Sequence, residues 1–235
     1  MITETPTMML HADRTRVALV HGATLPWLSS PEPGVERRLL ERAGGEVALA
    51  TSIVRYAPHS RFAAHEHALG EEFLVLEGTF SDEHGHYPAG TYVRNPPGSR
   101  HAPFSDAGCV IFVKLRQMHP TDRHAVRAFV HDRVWQRVSA MRAVCVLHQA
   151  DGRVVQLERL APGGELALGG AADAQELFVV DGTALLHDSA VAPLQRWSWL
   201  RRPQGAAARV SAPVGALLWT QRGHLPLAAE QASPG

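Results

Sequence analysis

The chain has 235 residues, with 23 basic against 23 acidic side chains, 14 histidines and a formal net charge of zero. That balance excludes attraction to nucleic acid or to an anionic membrane by net field, and 45% apolar with 20% charged residues is the composition of a soluble globular protein large enough for one large or two small domains. Cys109 and Cys145 are the two cysteines and no C-x-x-C occurs, so no disulfide framework is implied and a reducing cytoplasm is the expected compartment.

Residues 1–15 read as a flexible arm. They lack the basic start and apolar core of a signal peptide, and no apolar stretch in the chain reaches membrane length. Arg16 to Val20 alternates weakly, as a strand would. Trp27, among Pro26, Pro31 and Pro33, marks a loop whose aromatic ring packs on the body. Val35 to Arg42 and Glu46 to Tyr56 read as a hairpin around Ala43-Gly44-Gly45. Arg55 and Arg61 flank the next segment. Either could hold an anionic ligand or a glutamate such as Glu72, and a surface ion pair is the plainer role.

The stretch from Arg61 to His101 carries the chemistry. His65 and His67 are two apart, which on an extended strand points both to one face. Glu71 follows across a short turn through Gly70, and Phe73-Leu74-Val75-Leu76 is a run of strand formers too apolar to meet water on both sides. His101 lies beyond Pro96-Pro97-Gly98, a pattern suited to a type II turn. A strand returning from that turn would bring His101 beside His65. Three imidazoles and a carboxylate are costly to bury unpaired, and one divalent cation satisfies all four. Histidine suits Zn, Fe, Cu, Ni or Mn, and the glutamate oxygen widens the choice toward Fe or Mn. The competing reading, scattered surface histidines in a histidine-rich chain, would suit an isolated H-x-H better than this combined spacing.

These residues resemble the two motifs of the cupin superfamily. His65, His67, Glu71 and Gly78 match the first in spacing, with His59 at its leading glycine. Gly90, Pro96, Gly98 and His101 match the second, with Ser105 at its final asparagine. Over about residues 55–118 the phrasing is similar to the cupin domain of ChrR-type anti-sigma factors. The resemblance implies an all-β jelly-roll barrel and a metal held by His65, His67, Glu71 and His101, zinc in the anti-sigma factors.

Further along, Thr79 to Tyr87 reads as a strand leaving through a polar turn, with His84 and His86 exposed. Thr91 to Arg94 and Cys109 to Leu115 complete the strands, and Cys109 reads as a small buried thiol. Residues 121–138 read as a linker, with Asp122 to Trp135 as a candidate short helix. The second half then repeats the first. Glu72-Phe73-Leu74-Val75-Leu76-Glu77-Gly78 faces Glu176-Leu177-Phe178-Val179-Val180-Asp181-Gly182, and Ala107-Gly108 faces Val214-Gly215. A repeat of that length predicts two tandem copies of one barrel: a metal-binding barrel over 16–120, a degenerate one over 139–226, and a flexible tail over 227–235. Opposite the four ligands the second copy has Gly169, Ala171, Gln175 and Ala208, so a metal is expected in the first copy alone. Trp197, Trp199 or Trp219 are expected to fill the vacated space.

The expected cofactor is one divalent transition metal per chain, Zn, Fe, Mn or Ni, with an unknown small-molecule ligand as partner. The reaction is left open between dioxygenase-like metal chemistry, in which Glu71 stays bound or swings away as a base, ligand or oxidant sensing, an anti-sigma-like zinc cupin, and a purely structural metal. A sigma factor is not expected, because the anti-sigma relatives carry a separate N-terminal zinc domain with a C-x-x-C. The family also implies a homodimer through exposed β-edges.

Overall fold

A run such as Glu71-Glu72-Phe73-Leu74-Val75-Leu76 is stable as a strand covered on both faces, and the computed structural model builds the whole chain from such strands. It describes residues 7–45, 47–169, 174–187 and 191–223. Among them the regular elements are antiparallel strands and two short 3-10 turns, and no helix is long and apolar enough to cross a membrane. The all-β, twin-barrel expectation holds, and the chain divides into two units.

In the first unit the strands lie in the order Met8–Leu10, Val35–Gly44, Ala48–Tyr56, Cys109–Leu115, Glu71–Asp82, Thr91–Asn95, Val126–Phe129. Phe73, Val75, Phe80, Tyr87, Val93, Ile111 and Val113 pack as its core. In the second unit the order is Gln136–Ser139, Arg142–Ala150, Arg153–Leu160, Ala216–Arg222, Gln175–Leu186, Ser198–Arg202, Ala18–His21. Leu166, Leu168, Leu177, Val179, Val210 and Leu218 fill its core. Burying each such side chain contributes about 1.5–3 kcal/mol.

The two orders match strand for strand, with one exchange at the last place. Ala18–His21 pairs with Ser198–Arg202 in the second unit, and Val126–Phe129 pairs with Thr91–Asn95 in the first. The boundaries expected from sequence, 16–120 and 139–226, differ from this. The second unit takes in residues 13–25, and the first runs on through residue 131. The expected arm over 1–15 is a paired strand at Met8–Leu10, while residues 1–6 lie outside the described part, as do Glu46 and the tail over 227–235. The candidate helix over Asp122 to Trp135 is instead a strand followed by the 3-10 turn Val130–Asp132. Its apolar residues are spaced closely enough to serve either geometry, and pairing with an open sheet edge decides for the strand.

The tryptophans also depart from expectation. Trp199 and Trp219 are buried, but both stand opposite Phe178, whereas the core takes the alternate residues Leu177, Val179, Leu200 and Leu218. Strand alternation therefore puts the two rings on the sheet's other face, and aliphatic side chains fill the second barrel.

The repeat reaches the backbone detail. Gly78 and Gly182 have φ of +69° and +81°, each beside a register shift in the ladder with the last core strand. A Cβ at Gly78 would lie 2.1 Å from the Gly108 carbonyl oxygen, and one at Gly182 would lie 2.3 Å from that of Gly215. These glycines permit both the left-handed bend and the close strand approach. Gly78→Ala is expected to destabilise the fold by at least about 2 kcal/mol, from backbone strain with the clash added. A denaturant titration checks this, as a fall in the midpoint with the slope unchanged.

Candidate metal centre

The His65–His67 strand pairs antiparallel with Ser99–His101, with His65 opposite His101 and His67 opposite Ser99. The turn at Pro96-Pro97-Gly98 forms as expected: the Ser99 N–H donates to the Pro96 carbonyl at 3.0 Å, and the Gly98 N–H reaches the His67 carbonyl at 3.0 Å. Glu71 arrives from the other side. The Gly70 N–H donates to the His67 carbonyl at 3.1 Å, and Gly70 takes φ +76°, which turns the chain at once into the long Glu71–Asp82 strand.

All four side chains named from the sequence meet. His67 Nε2 and His101 Nε2 are 2.9 Å apart, and Glu71 Oε2 is 3.4 Å from the first and 3.6 Å from the second. The donor atoms of His65, His67 and His101 lie within 4.8 Å of one another. Burial is graded: His101 is 2% exposed, Glu71 6%, His67 9%, and His65 is open to solvent.

The hydrogen bonds around the cluster fix which ring atoms face it. His101 Nδ1 lies 3.2 Å from Asp82 Oδ2, and His65 Nδ1 lies 3.1 Å from the Ala63 carbonyl. Both partners only accept, so both Nδ1 atoms carry the proton and both Nε2 lone pairs are bare. Burial, the largest influence on Glu71, would raise its pKa, but His67, His101 and a hydrogen bond from Asn95 hold it below the usual carboxylate range. Burial pulls His67 down. His101 is raised, because its Asp82 hydrogen bond and the nearby carboxylates outweigh burial. A single proton between His67 and His101 would satisfy that pair and leave His65 outside it.

The donor set fits a divalent transition ion. Two ligands about 2.1 Å from one ion lie about 3.0 Å apart at a right angle and about 3.4 Å apart at the tetrahedral angle. The 2.9, 3.4 and 3.6 Å separations follow that pattern. His65 would complete the set of residues able to hold the ion, its donor atom lying within 4.8 Å of those of the other two rings.

A shell that the sequence reading did not single out supports the cluster. Asp82 accepts from the Tyr87 hydroxyl at 3.0 Å and the His84 N–H at 2.8 Å. Asn95 Nδ2 donates to Glu71 Oε2 at 3.0 Å. Arg127 joins the two arms, donating through Nε to the Tyr87 hydroxyl at 3.2 Å and through one terminal nitrogen to Asn95 Oδ1 at 2.6 Å. One guanidinium thus braces both His101 and Glu71. Arg127 is held there by its strand and by the Arg94–Asp122 ion pair just before it. Asp82 had a sequence signal: alternation from the core residue Phe80 points it inward, where a carboxylate is out of place. Arg127 had none.

The remaining candidates lie elsewhere. Arg55 pairs with Glu36 and stacks over Trp27 at 4.4 Å, and Arg61 pairs with Asp106 at 2.8 Å, so both take the surface ion-pair role. Burial pushes the Cys109 thiol up to about 11, as an inert core residue. In the second unit Gln175 accepts from the Gly169 N–H, and Ala208 pairs with Leu168. Ala171 lies outside the described residues.

Residues 15–119 match the family model of the ChrR cupin-like domain. No curated protein matches the sequence. Among solved structures, a proposed dioxygenase from Nostoc punctiforme is 13% identical with TM-score 0.69, covering 95% of this chain and 84% of that one. The bacterial pirin YhhW from Escherichia coli, in complex with nickel(II), is 12% identical with TM-score 0.65, covering 90% and 99%. Oxalate decarboxylase from Lactobacillus farciminis, as a formate complex, is 10% identical with TM-score 0.62, covering 92% and 90%. At these identities the likeness is one of fold.

Outer partners of metal-bound histidines and carboxylates typically tune affinity about 10–100-fold. Arg127→Met and Asp82→Asn are each expected to weaken metal binding within that range while leaving the secondary structure intact. Competition with a chromogenic chelator measures it, and unchanged affinity in both would show the network to be incidental.

Proposed function

We propose that the first unit, whose residues 15–119 match the ChrR cupin-like domain, binds one divalent transition metal through His65, His67, Glu71 and His101 and presents it to a small molecule. The observation that carries this reading is the convergence of the His67, His101 and Glu71 donor atoms at 2.9–3.6 Å beside a cavity of about 450 Å3 lined by His65, His67 and Glu71. A purely structural site has no use for such a cavity, and ligand pockets commonly measure about 300–1,000 Å3. The nickel(II) held by the pirin neighbour is consistent with the same kind of centre.

An ion in this position supplies Lewis acidity, or redox capacity if it is iron or manganese, toward a molecule it coordinates. The protein supplies the rest. Asp82 fixes the His101 tautomer, Asn95 and Arg127 hold the Glu71 carboxylate, and Phe80 and the core behind it keep water from the buried side. The exposed His65 side leaves an approach for the incoming molecule. Whether the outcome is turnover, in the manner of a dioxygenase, or sensing depends on that molecule. The ChrR match favours one second reading, a regulatory zinc centre. Its mark would be zinc with four protein ligands and no exchangeable position.

Protein expressed without an affinity tag is expected to hold about one transition metal per chain, with at least one exchangeable position. Elemental analysis and metal-edge spectroscopy measure both. His101→Ala should abolish metal retention, and Gln175→Ala, at the matching place in the second unit, should leave it unchanged. A metal-replete wild-type protein that holds none would overturn the reading.

A further inference from the structure

The cavity beside the centre is not uniformly apolar. Its wall carries Val54, Val113, Leu115 and Phe62, but Arg37 and Tyr56 also line it. Arg37 shares its strand face with Val35, two residues before it, and stands opposite Val54. It is therefore a guanidinium pointed at the inside of a barrel. Among the described residues no carboxylate lies within 4 Å of it, and its half-buried donors have no hydrogen-bond partner. Burial lowers its pKa, and Arg42, on the same strand, is depressed first by burial and then by Arg37 itself.

Tyr56 supplies the second donor. Its ring is held edge-on against Phe62 and Phe80, with centroids 5.3 and 5.6 Å away. Its hydroxyl has no hydrogen-bond partner among the described residues. Burial and then the Glu71 charge push the phenol well above its ordinary range while Arg37 pulls it back, so the hydroxyl stays a donor within electrostatic reach of both the arginine and the cluster. Two hydrogen-bond donors without acceptors among the described residues thus line a cavity whose wall is partly apolar, and ligand pockets owe their specificity to a few such placed polar groups.

We propose that this cavity takes a small organic carboxylate with an apolar body, its carboxylate held by Arg37 and the Tyr56 hydroxyl and its far, oxygen-bearing end facing His65, His67 and Glu71. This rests on the reading of the cluster as an open metal centre. A planar guanidinium matches a carboxylate in two-point geometry. Glu32 and Glu66 also line the cavity, but both are exposed and neither pairs with Arg37, so they shape the rim without occupying the donors.

The test uses phenylpyruvate and its methyl ester as probes, titrated calorimetrically into the metal-loaded full chain. Wild type should bind the acid and bind the ester at least about tenfold more weakly, the loss expected when a charge-assisted pair is removed. Arg37→Met should lose the acid by a similar factor, Arg37→Lys should recover part of it, and Tyr56→Phe should show a smaller loss. Metal content should be unchanged in all three variants. Equal binding of the acid by wild type and Arg37→Met, with metal retained in both, would overturn the proposal, as would no binding by wild type at millimolar acid. A wild type that holds no metal but binds the acid through Arg37 would instead overturn the metal reading and leave the carboxylate site standing.

Discussion

Everything at the centre follows from four groups that accept at one point. The ring nitrogens of His67 and His101 and a carboxylate held ionised are neighbours at 2.9–3.6 Å, an arrangement that draws positive charge into their midst. The barrel concentrates this conflict instead of relieving it. Asp82 takes the one proton His101 could have turned inward, and Asn95 keeps Glu71 oriented toward the rings. The surrounding core lowers the local dielectric, which raises the cost of leaving the cluster unanswered and strengthens whatever answers it. A divalent ion resolves all of these at once.

The second unit is the internal control. It keeps the strand order, the register shifts and even the close glycine approach of the first. At the corresponding positions the described residues are Gly169, Gln175 and Ala208, and a packed aliphatic interior stands where the first unit has polar groups. The same strand order is therefore built there without the four side chains, which points to chemistry as the reason for them in the first copy.

Much of this was legible in the residues themselves. Period-two alternation and Gly/Pro turns revealed the strands, the H-x-H spacing with Glu71 across Gly70 revealed which side chains converge, and the shifted repeat revealed the second barrel. Local signals stop where pairing becomes non-local. Nothing in Val126-Arg127-Ala128-Phe129 says that it continues the first sheet past Thr91–Asn95, and nothing in Ala18-Leu19-Val20-His21 says that it joins a strand some 180 positions further on. The bracing by Arg127 was hidden for the same reason, because its partners Tyr87 and Asn95 belong to two other strands. The tryptophans were misplaced because size suggested filling, while parity along the strand decided the face.

The traded strands bear on how such a chain can be divided. A cut chosen from the repeat, near residue 120, would separate the His65–His101 hairpin from the guanidinium that steadies it, and the front fragment would carry off a strand belonging to its sibling. Neither piece would be a whole barrel. The two copies are thus separable in pattern but not by a single scission, and a duplicated module that has exchanged its borders in this way is committed to inheritance as a pair.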